Sequence, residues 1–400
     1  MFLVRTSGKA GVMTLGFGPW IRRGRLADFG RWSWRSVQQM HAVREETCGQ
    51  SLSYEDVIRA AFEGLLGRSP DQASVAHFLN ALKSWGYSLS QMLSYINSST
   101  EARARQLVEL LPKIDLPDLT VTTPNRYRWE DSVCIYRAES MEDFDRFESL
   151  IIKHRFYDAF NGIVLPTMDV SKKVTAAIIA GLGAHSCLEL GCFNGLVVGL
   201  LRAAGISATG IDASHLAFAL ADARVRNHML FGDLLELEIP GLFDVVAGMD
   251  VYEHLNPAKF PRYVKRTAEL LSKDGYVVLS SPMFGPDDVF GELMPKYVRS
   301  WAESPVSEFW LDVHCTDKGW PMHGHLVWQS PQWWEAQFCS EGLVRDREIE
   351  RAIHGNLEWF YQIAPYRRFL FVLKHVGNIS SPKDRIAVLT KKLSALEKKR

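Results

Sequence analysis

Between Ser53 and Leu66 the apolar residues Val57, Ile58, Ala61, Phe62, Leu65 and Leu66 recur at helical spacing, and Gly67 stops the run. Val75, Phe78, Leu79 and Leu82 line a second helical face before Gly86. A third segment, SLSQMLSYI, has Ser88 or Ser90 as its N-cap. These three short amphipathic helices predict a small all-α module over residues 51–111. Pro112, Pro117 and Pro124 among threonines then mark residues 112–130 as a linker. Helical spacing returns in MEDFDRFESLIIKHRFYDAF, with Phe144, Phe147, Leu150 and Ile151 on one side, and in SKKVTAAIIAGLG.

From Ser186 the pattern alternates between short apolar runs and amphipathic stretches. Strand SCLEL is followed by helix LVVGLLRAAG, strand ATGID, helix SHLAFALADAR, strands NHMLFGD and FDVVAGMD, helix PAKFPRYVKRTAELLS and strand GYVVLSSP. Strands separated by helices predict right-handed βαβ crossovers, and so an α/β, doubly wound, mostly parallel sheet. Residues 283–330 form an aromatic insertion without a period. Helix SPQWWEAQFCSEG and two late strands, near LVRDREIERAI and RRFLFVLKH, close a domain over 131–376. In residues 377–400, Ser381 and Pro382 start a helix with Ile386, Leu389, Leu393 and Leu396 at a/d spacing, a face suited to self-association.

Composition narrows the class rather than the fold. Hydrophobic residues make up 47% and charged residues 23%, and 46 basic residues balance 46 acidic ones. No polyanionic partner is implied, and on the sheet domain the basic residues form no aromatic-interleaved stripe of the kind that binds nucleic acid. Six scattered cysteines without a CxxC pair suggest neither zinc nor a disulfide framework, and fit a reduced cytoplasm. No apolar run reaches the ~18–20 residues of a transmembrane segment. Residues 1–50, with Trp20, Trp32 and Trp34 among arginines, read as a disordered basic tail.

The chemistry gathers around Cys187 to Gly195, CLELGCFNG, a strand that ends in a glycine loop before a helix. A dinucleotide site needs a second glycine where Phe193 stands, so a ligand without a pyrophosphate is favoured. Acids follow at successive strand ends: Asp212, Asp233 and Asp250. The spacing Glu189-x-Gly191-x-x-x-Gly195 with these acids resembles the class I S-adenosylmethionine-dependent methyltransferases over about residues 172–285. That resemblance implies a Rossmann-like methyltransferase sheet with a late antiparallel strand, and S-adenosyl-L-methionine as cofactor. It implies cofactor contacts from Glu189, Gly191, Cys192, Phe193, Gly195, Asp212, Ala213, Asp233, Leu234, Asp250 and Val251. Asp212 would accept the ribose hydroxyls, Asp233 would meet the adenine amine, and Glu189 would answer the ammonium. The stretch AFEGLLGRSPDQASVAHFLNALKSWGYSLSQMLSYINSSTEAR resembles a bacterial helical module found beside glycosyltransferases, methyltransferases and surface proteins.

MDVYEHL, Met249 to Leu255, resembles the fourth-strand motif of small-molecule methyltransferases. It makes His254 the candidate general base, with Glu253 and His325 of HGHLVWQSP as further catalytic candidates. The related E-x-x-E-H pattern binds a divalent ion in some RNA and quinone O-methyltransferases. Here Asp250 replaces the first glutamate and the set is partial, so no metal is assigned. The alternative for Glu253 and His254 is capping and packing, and for His325 a structural histidine. Trp310, Trp320, Trp328, Trp333 and Trp334 offer either stacking surfaces or core. The expected activity is O-methylation of a small-molecule or glycan acceptor. The alternatives are a natural-product or quinone O- or N-methyltransferase, or a scaffold that keeps the fold for binding only.

Overall fold

In this computed structural model the described residues are 53–66, 68–97, 99, 102, 114–159, 168–291, 311–378 and 382–397. The basic tail and the Ser381 cap lie outside them. The chain divides into two compact units, Met1–Ala102 and Arg103–Arg400.

The first unit holds helices α1 (Tyr54–Leu66), α2 (Gln72–Lys83) and α3 (Leu89–Asn97). Their starts are set by side chains that satisfy the free N–H groups of a first turn. Ser53 and Asp56 cap reciprocally, Asp71 Oδ1 accepts from Ser74 N at 2.7 Å, and Gln91 Oε1 accepts from Ser88 N at 2.8 Å. Ser88, rather than Ser90, is thus the start of α3. Ile58, Phe62, Phe78, Met92 and Ile96 form the core between the three.

The second unit contains β1 (Tyr127–Glu130), β2 (Val133–Arg137), α4 (Met141–Lys153), α5 (Phe156–Ala159), α6 (Met168–Gly181), β3 (Ser186–Leu190), α7 (Leu196–Ala203), β4 (Ser207–Asp212), α8 (His215–Leu220), α9 (Ala223–Arg226), β5 (Met229–Phe231) and β6 (Phe243–Met249). It continues with α10 (Phe260–Leu270), β7 (Leu271–Ser280), β8 (Asp312–Cys315), α11 (Pro331–Cys339), β9 (Leu343–Arg345), α12 (Arg347–Asn356), α13 (Glu358–Ile363), β10 (Leu370–His375) and α14 (Pro382–Glu397). The main sheet has the order β5-β4-β3-β6-β7-β10-β9. Only β10 runs against its neighbours, as a late antiparallel strand in an otherwise parallel Rossmann-like sheet. One face buries Ile178, Val197, Leu201, Ile353 and Leu389, and the other buries Tyr263, Val264, Trp334 and Phe338. Among the described residues no helix is long and apolar enough to cross a membrane.

Three stretches differ from the sequence reading. Residues 127–130, taken as linker, form strand β1, and Asp312–Cys315 of the insertion forms β8; both join β2 in a separate three-stranded sheet. Only LVR of LVRDREIERAI is strand. Asp346 Oδ1 accepts from Ile349 N and starts α12, whose Ile349 and Ile353 are buried. Trp320 and Trp334 are core rather than stacking surfaces, and Trp310 lies outside the described residues.

The apolar face of α14 is already covered within the chain. Leu389 and Leu393 are fully buried, and α14 packs on α6 and α12. Gly181 permits this approach, because a Cβ there would meet Leu389 Cδ1 at 2.6 Å. The face offered for self-association is therefore spent on the domain's own core. Leu389→Ala should lower stability by about 2–3 kcal/mol, the cost of a cavity that a peripheral helix partly collapses. Denaturant unfolding checks this, and a loss below about 0.5 kcal/mol would show the helix to be an appendage.

Candidate functional site

Parallel strands deliver their side chains to one edge, and here β3, β4 and β6 end together. Glu189 on β3 is 1% exposed. Its Oε1 lies 3.5 Å from Lys172 Nζ, and its Oε2 has no hydrogen-bond partner. Burial pushes this carboxyl up to about 7 against the pull of Lys172. A buried acid with an orphaned oxygen is suited to a cationic ligand group.

The loop after β3 turns through left-handed backbone at Gly191 (φ +59°), Phe193 (φ +48°) and Gly195 (φ +69°). Glycine is required at two of these by close packing as well as by conformation. A Cβ on Gly191 would meet Val251 Cγ2 at 2.5 Å, and one on Gly195 would meet Val225 Cγ1 at 2.6 Å. The Gly191 contact brings the loop directly against the end of β6. Cys192 points the other way, filling the space above Gly210 in the core.

Asp212, at the end of β4, organises this loop. Its Oδ2 accepts from Phe193 N and its Oδ1 from Ser214 N, both at 2.8 Å. Burial raises its carboxyl while those backbone donors lower it. Ala213 is exposed beside it. Asp233 follows β5, accepting from Leu235 N at 2.7 Å and from the Tyr263 hydroxyl at 2.6 Å, while Leu234 is buried. Asp250 is left-handed (φ +60°) and bonded on both oxygens, to Ser280 Oγ at 2.7 Å and to the Arg367 guanidinium.

One turn beyond Asp250, a second group of side chains converges. The Glu253 carbonyl accepts from Leu326 N (2.7 Å) and Val327 N (3.0 Å), which ties the end of the insertion to the end of β6. The Glu253 carboxyl is fully buried, with no hydrogen-bond partner on either oxygen; His325 Nε2 stands 3.9 Å from Oε1. Burial and the neighbouring Asp250 carboxylate raise it well above the usual glutamate range. His254 Nδ1 donates to the Gly324 carbonyl at 3.1 Å, the tautomer that leaves Nε2 with a free lone pair. Burial lowers this imidazole to about 4, so it is neutral near pH 7.

The rings of His254 and His325 meet edge to face at 4.7 Å, and one ligand atom from each of Glu253, His254 and His325 lies within 4.8 Å of the others. The insertion thus supplies His325 to the pair on the turn after β6, in place of Asp250, whose oxygens are taken by Ser280 and Arg367. His323 is also close, its ring 5.6 Å from that of His325. A cavity of about 410 Å³ between Phe290, Arg351, His354, Tyr361 and Arg368 includes none of these groups. The site is defined by convergent side chains rather than by a void.

Lys172 and Tyr157 were not among the sequence candidates. Lys172 gave no signal beyond an amphipathic helix, and Tyr157 lay in a helical run with nothing to set it apart. Tyr157 Oη stands 3.4 Å from His254 Nδ1, with the two rings edge to face.

Residues 154–337 match the family model described as Methyltransferase domain. Among curated proteins, the ubiquinone biosynthesis O-methyltransferase of Nitrosomonas europaea is 30% identical over 112 residues, covering 26% of this chain and 46% of that one. The protein of the same name from Pseudomonas aeruginosa PAO1 is 31% identical over 110 residues, with the same coverage. The chain therefore spans about half the length of the curated relatives it matches. Among solved structures, CalS10, an amino pentose methyltransferase from Micromonospora echinaspora, is 16% identical with a TM-score of 0.35, covering 55% of this chain and 96% of that one.

Proposed function

We propose that the chain, whose residues 154–337 match a methyltransferase domain, is a class I S-adenosylmethionine-dependent methyltransferase that methylates an oxygen of a small-molecule or sugar-containing acceptor, with His254 taking the acceptor's proton. The observation that carries this reading is the convergence of Glu253, His254 and His325 on the β6 end, which touches the glycine loop through Val251 and Gly191. The orphaned Glu189 Oε2 fits the cofactor's ammonium. Asp212 keeps lone pairs for the ribose hydroxyls, and Asp233 and Leu234 border the adenine end. Gly191, Phe193, Gly195, Ala213 and Val251 supply backbone and contact surface, whereas Cys192 supports the loop from the core.

When bound, the cofactor supplies a methyl group on a sulfonium whose positive charge already activates it. The protein's work is to align the acceptor oxygen and to remove its proton. The lone pair on His254 Nε2 accepts that proton as the oxygen–carbon bond forms. The nearby Asp250 carboxylate favours the resulting imidazolium. Asp250 serves this half of the site by holding the strand end in place through Ser280 and Arg367.

A second reading is favoured by the two unbonded Glu253 oxygens: Glu253, His254 and His325 would hold a divalent ion that lowers the pKa of the acceptor hydroxyl. The O-methyltransferase names of the curated relatives accord with oxygen as the atom methylated. Comparative mass spectrometry of host metabolites and glycans, with active and His254-substituted protein, should reveal a methyl-sized mass difference that tracks the active form. Chelation separates the two readings. If the ion is needed, dialysis against EDTA abolishes transfer and magnesium or manganese restores it; unchanged turnover leaves His254 as the base.

Cofactor affinity should also depend on pH through Glu189. Below about 7 this acid holds a proton that an ammonium must displace, so affinity falls toward tenfold per pH unit as pH drops. It levels off above 7, until the ligand's own α-amino group deprotonates near ~8. Titration calorimetry from pH 5.5 to 8 checks this, with Glu189→Gln as control. An equal slope in that variant would assign the dependence elsewhere.

A further inference from the structure

The four-residue helix Phe156–Ala159 lies across both halves of the site, and its two central side chains point to different halves. Asp158 is buried, and its Oδ1 accepts from Ser214 Oγ at 2.9 Å and from Leu216 N at 2.8 Å. Arg155, itself left-handed (φ +51°), donates to its Oδ2 at 2.7 Å. Ser214 is the same residue whose N–H is bonded to Asp212. An unbroken chain of hydrogen bonds therefore runs from the Asp212 carboxylate through Ser214 to Asp158.

Tyr157, the adjacent residue, faces the other way. Its hydroxyl shares the His254 Nδ1 proton with the Gly324 carbonyl, at 3.4 Å and 3.1 Å respectively. The ring also rests on Gly324, where a Cβ would meet Tyr157 Cε1 at 2.8 Å. Gly324 is left-handed (φ +81°), so glycine is needed there both for the turn and for the tyrosine's approach. Burial raises the Tyr157 phenol, and Glu253 and Asp212 are both near enough to add to it.

We propose that this helix is a tether that couples the cofactor half to the acceptor half: Asp158 senses the Asp212–Ser214 turn, and Tyr157 is a positioning residue that fixes the rotation of the His254 ring. The coupling arm rests on the cofactor reading above; the Tyr157–His254 arm does not. A ligand that bonds to Asp212 tightens the Ser214 turn, and because Asp158 and Tyr157 share one helical turn, the change reaches the histidine without touching it.

The test uses the full chain with nitrogen-15 histidine, the His254 ring signals being assigned by their loss in His254→Gln. In the ligand-free protein, Tyr157→Phe should move the His254 Nδ1 resonance while leaving other histidines in place; an unmoved signal overturns the positioning role. Adding S-adenosylhomocysteine to wild type should move the same resonance, and Asp158→Ala should abolish that response while still binding the ligand by calorimetry. Ser214→Ala, which removes one link and keeps the Asp212 contact, should reduce it and serves if Asp158→Ala fails to fold. A full response in either variant overturns the coupling, as does a wild type that binds without responding. If wild type does not bind S-adenosylhomocysteine, the cofactor reading and the coupling fall together, and the Tyr157→Phe comparison still decides the positioning role.

Discussion

Asp212→Ala should weaken S-adenosylmethionine binding by about 10²- to 10⁴-fold. Two ribose hydroxyls donating to a carboxylate are worth about 1.5–3 kcal/mol each, and every ~1.4 kcal/mol is tenfold. The loss is compounded because the same carboxylate anchors Phe193 N and Ser214 N, so the glycine loop also loses its fixed shape. Asp212→Asn should lose less, since it keeps one acceptor oxygen for the loop. Calorimetry on variants whose unfolding transitions match wild type checks this. An Asp212→Ala variant that is folded and within threefold of wild-type affinity would remove Asp212 from the cofactor site.

His254→Ala should lower turnover by about 10²- to 10⁴-fold, the usual contribution of a positioned general base. Cofactor affinity should change by less than about threefold, because His254 belongs to the acceptor half. That pairing of effects separates a chemical role from a fault in folding, which would depress both. The pH profile adds a signed expectation. Burial holds the His254 imidazole near 4, so its neutral form persists through the acid limb and turnover should not fall with a midpoint near the ordinary 6.5 of histidine. A limb at 6.5 that disappears in His254→Gln would show that the ring is far more solvated in the working enzyme.

The main sheet was legible because its signal is local. The central strands β3 and β6 and the second half of β7 are short apolar runs buried on both faces, and the crossover helices between strands carry their own period. The acids were legible for the same reason, as strand ends are fixed once the strands are. What stayed hidden depends on pairing across long separations. β1 and β8 have only 4 residues each and are stabilised by pairing with β2, whose Arg137 stands opposite Asp312 of β8 across 175 residues of sequence. Glu253 and His254 stood out by their place after β6. His325 stood out only by its position before a Ser-Pro helix start, and nothing local says that the Glu253 carbonyl pins its neighbours Leu326 and Val327. Tyr157 and Asp158 carry no motif at all, since their importance comes from a crossing that two distant turns create. The strand assigned at LVRDREIERAI failed because Leu343 and Val344 do belong to one, and a single capping aspartate changes the period after three residues.

The contact between Gly181 and Leu389 also sets a clock on biosynthesis. Helix α6 is made before any strand of the main sheet, yet the side chain that covers it is made about 200 residues later. At ribosomal speeds of about 5–20 residues per second, α6 waits roughly 10–40 s with an apolar stripe uncovered. During that interval the nascent chain presents a natural site for a holding chaperone, and a ribosome that stalls before residue 389 releases a product whose α6 surface marks it for degradation.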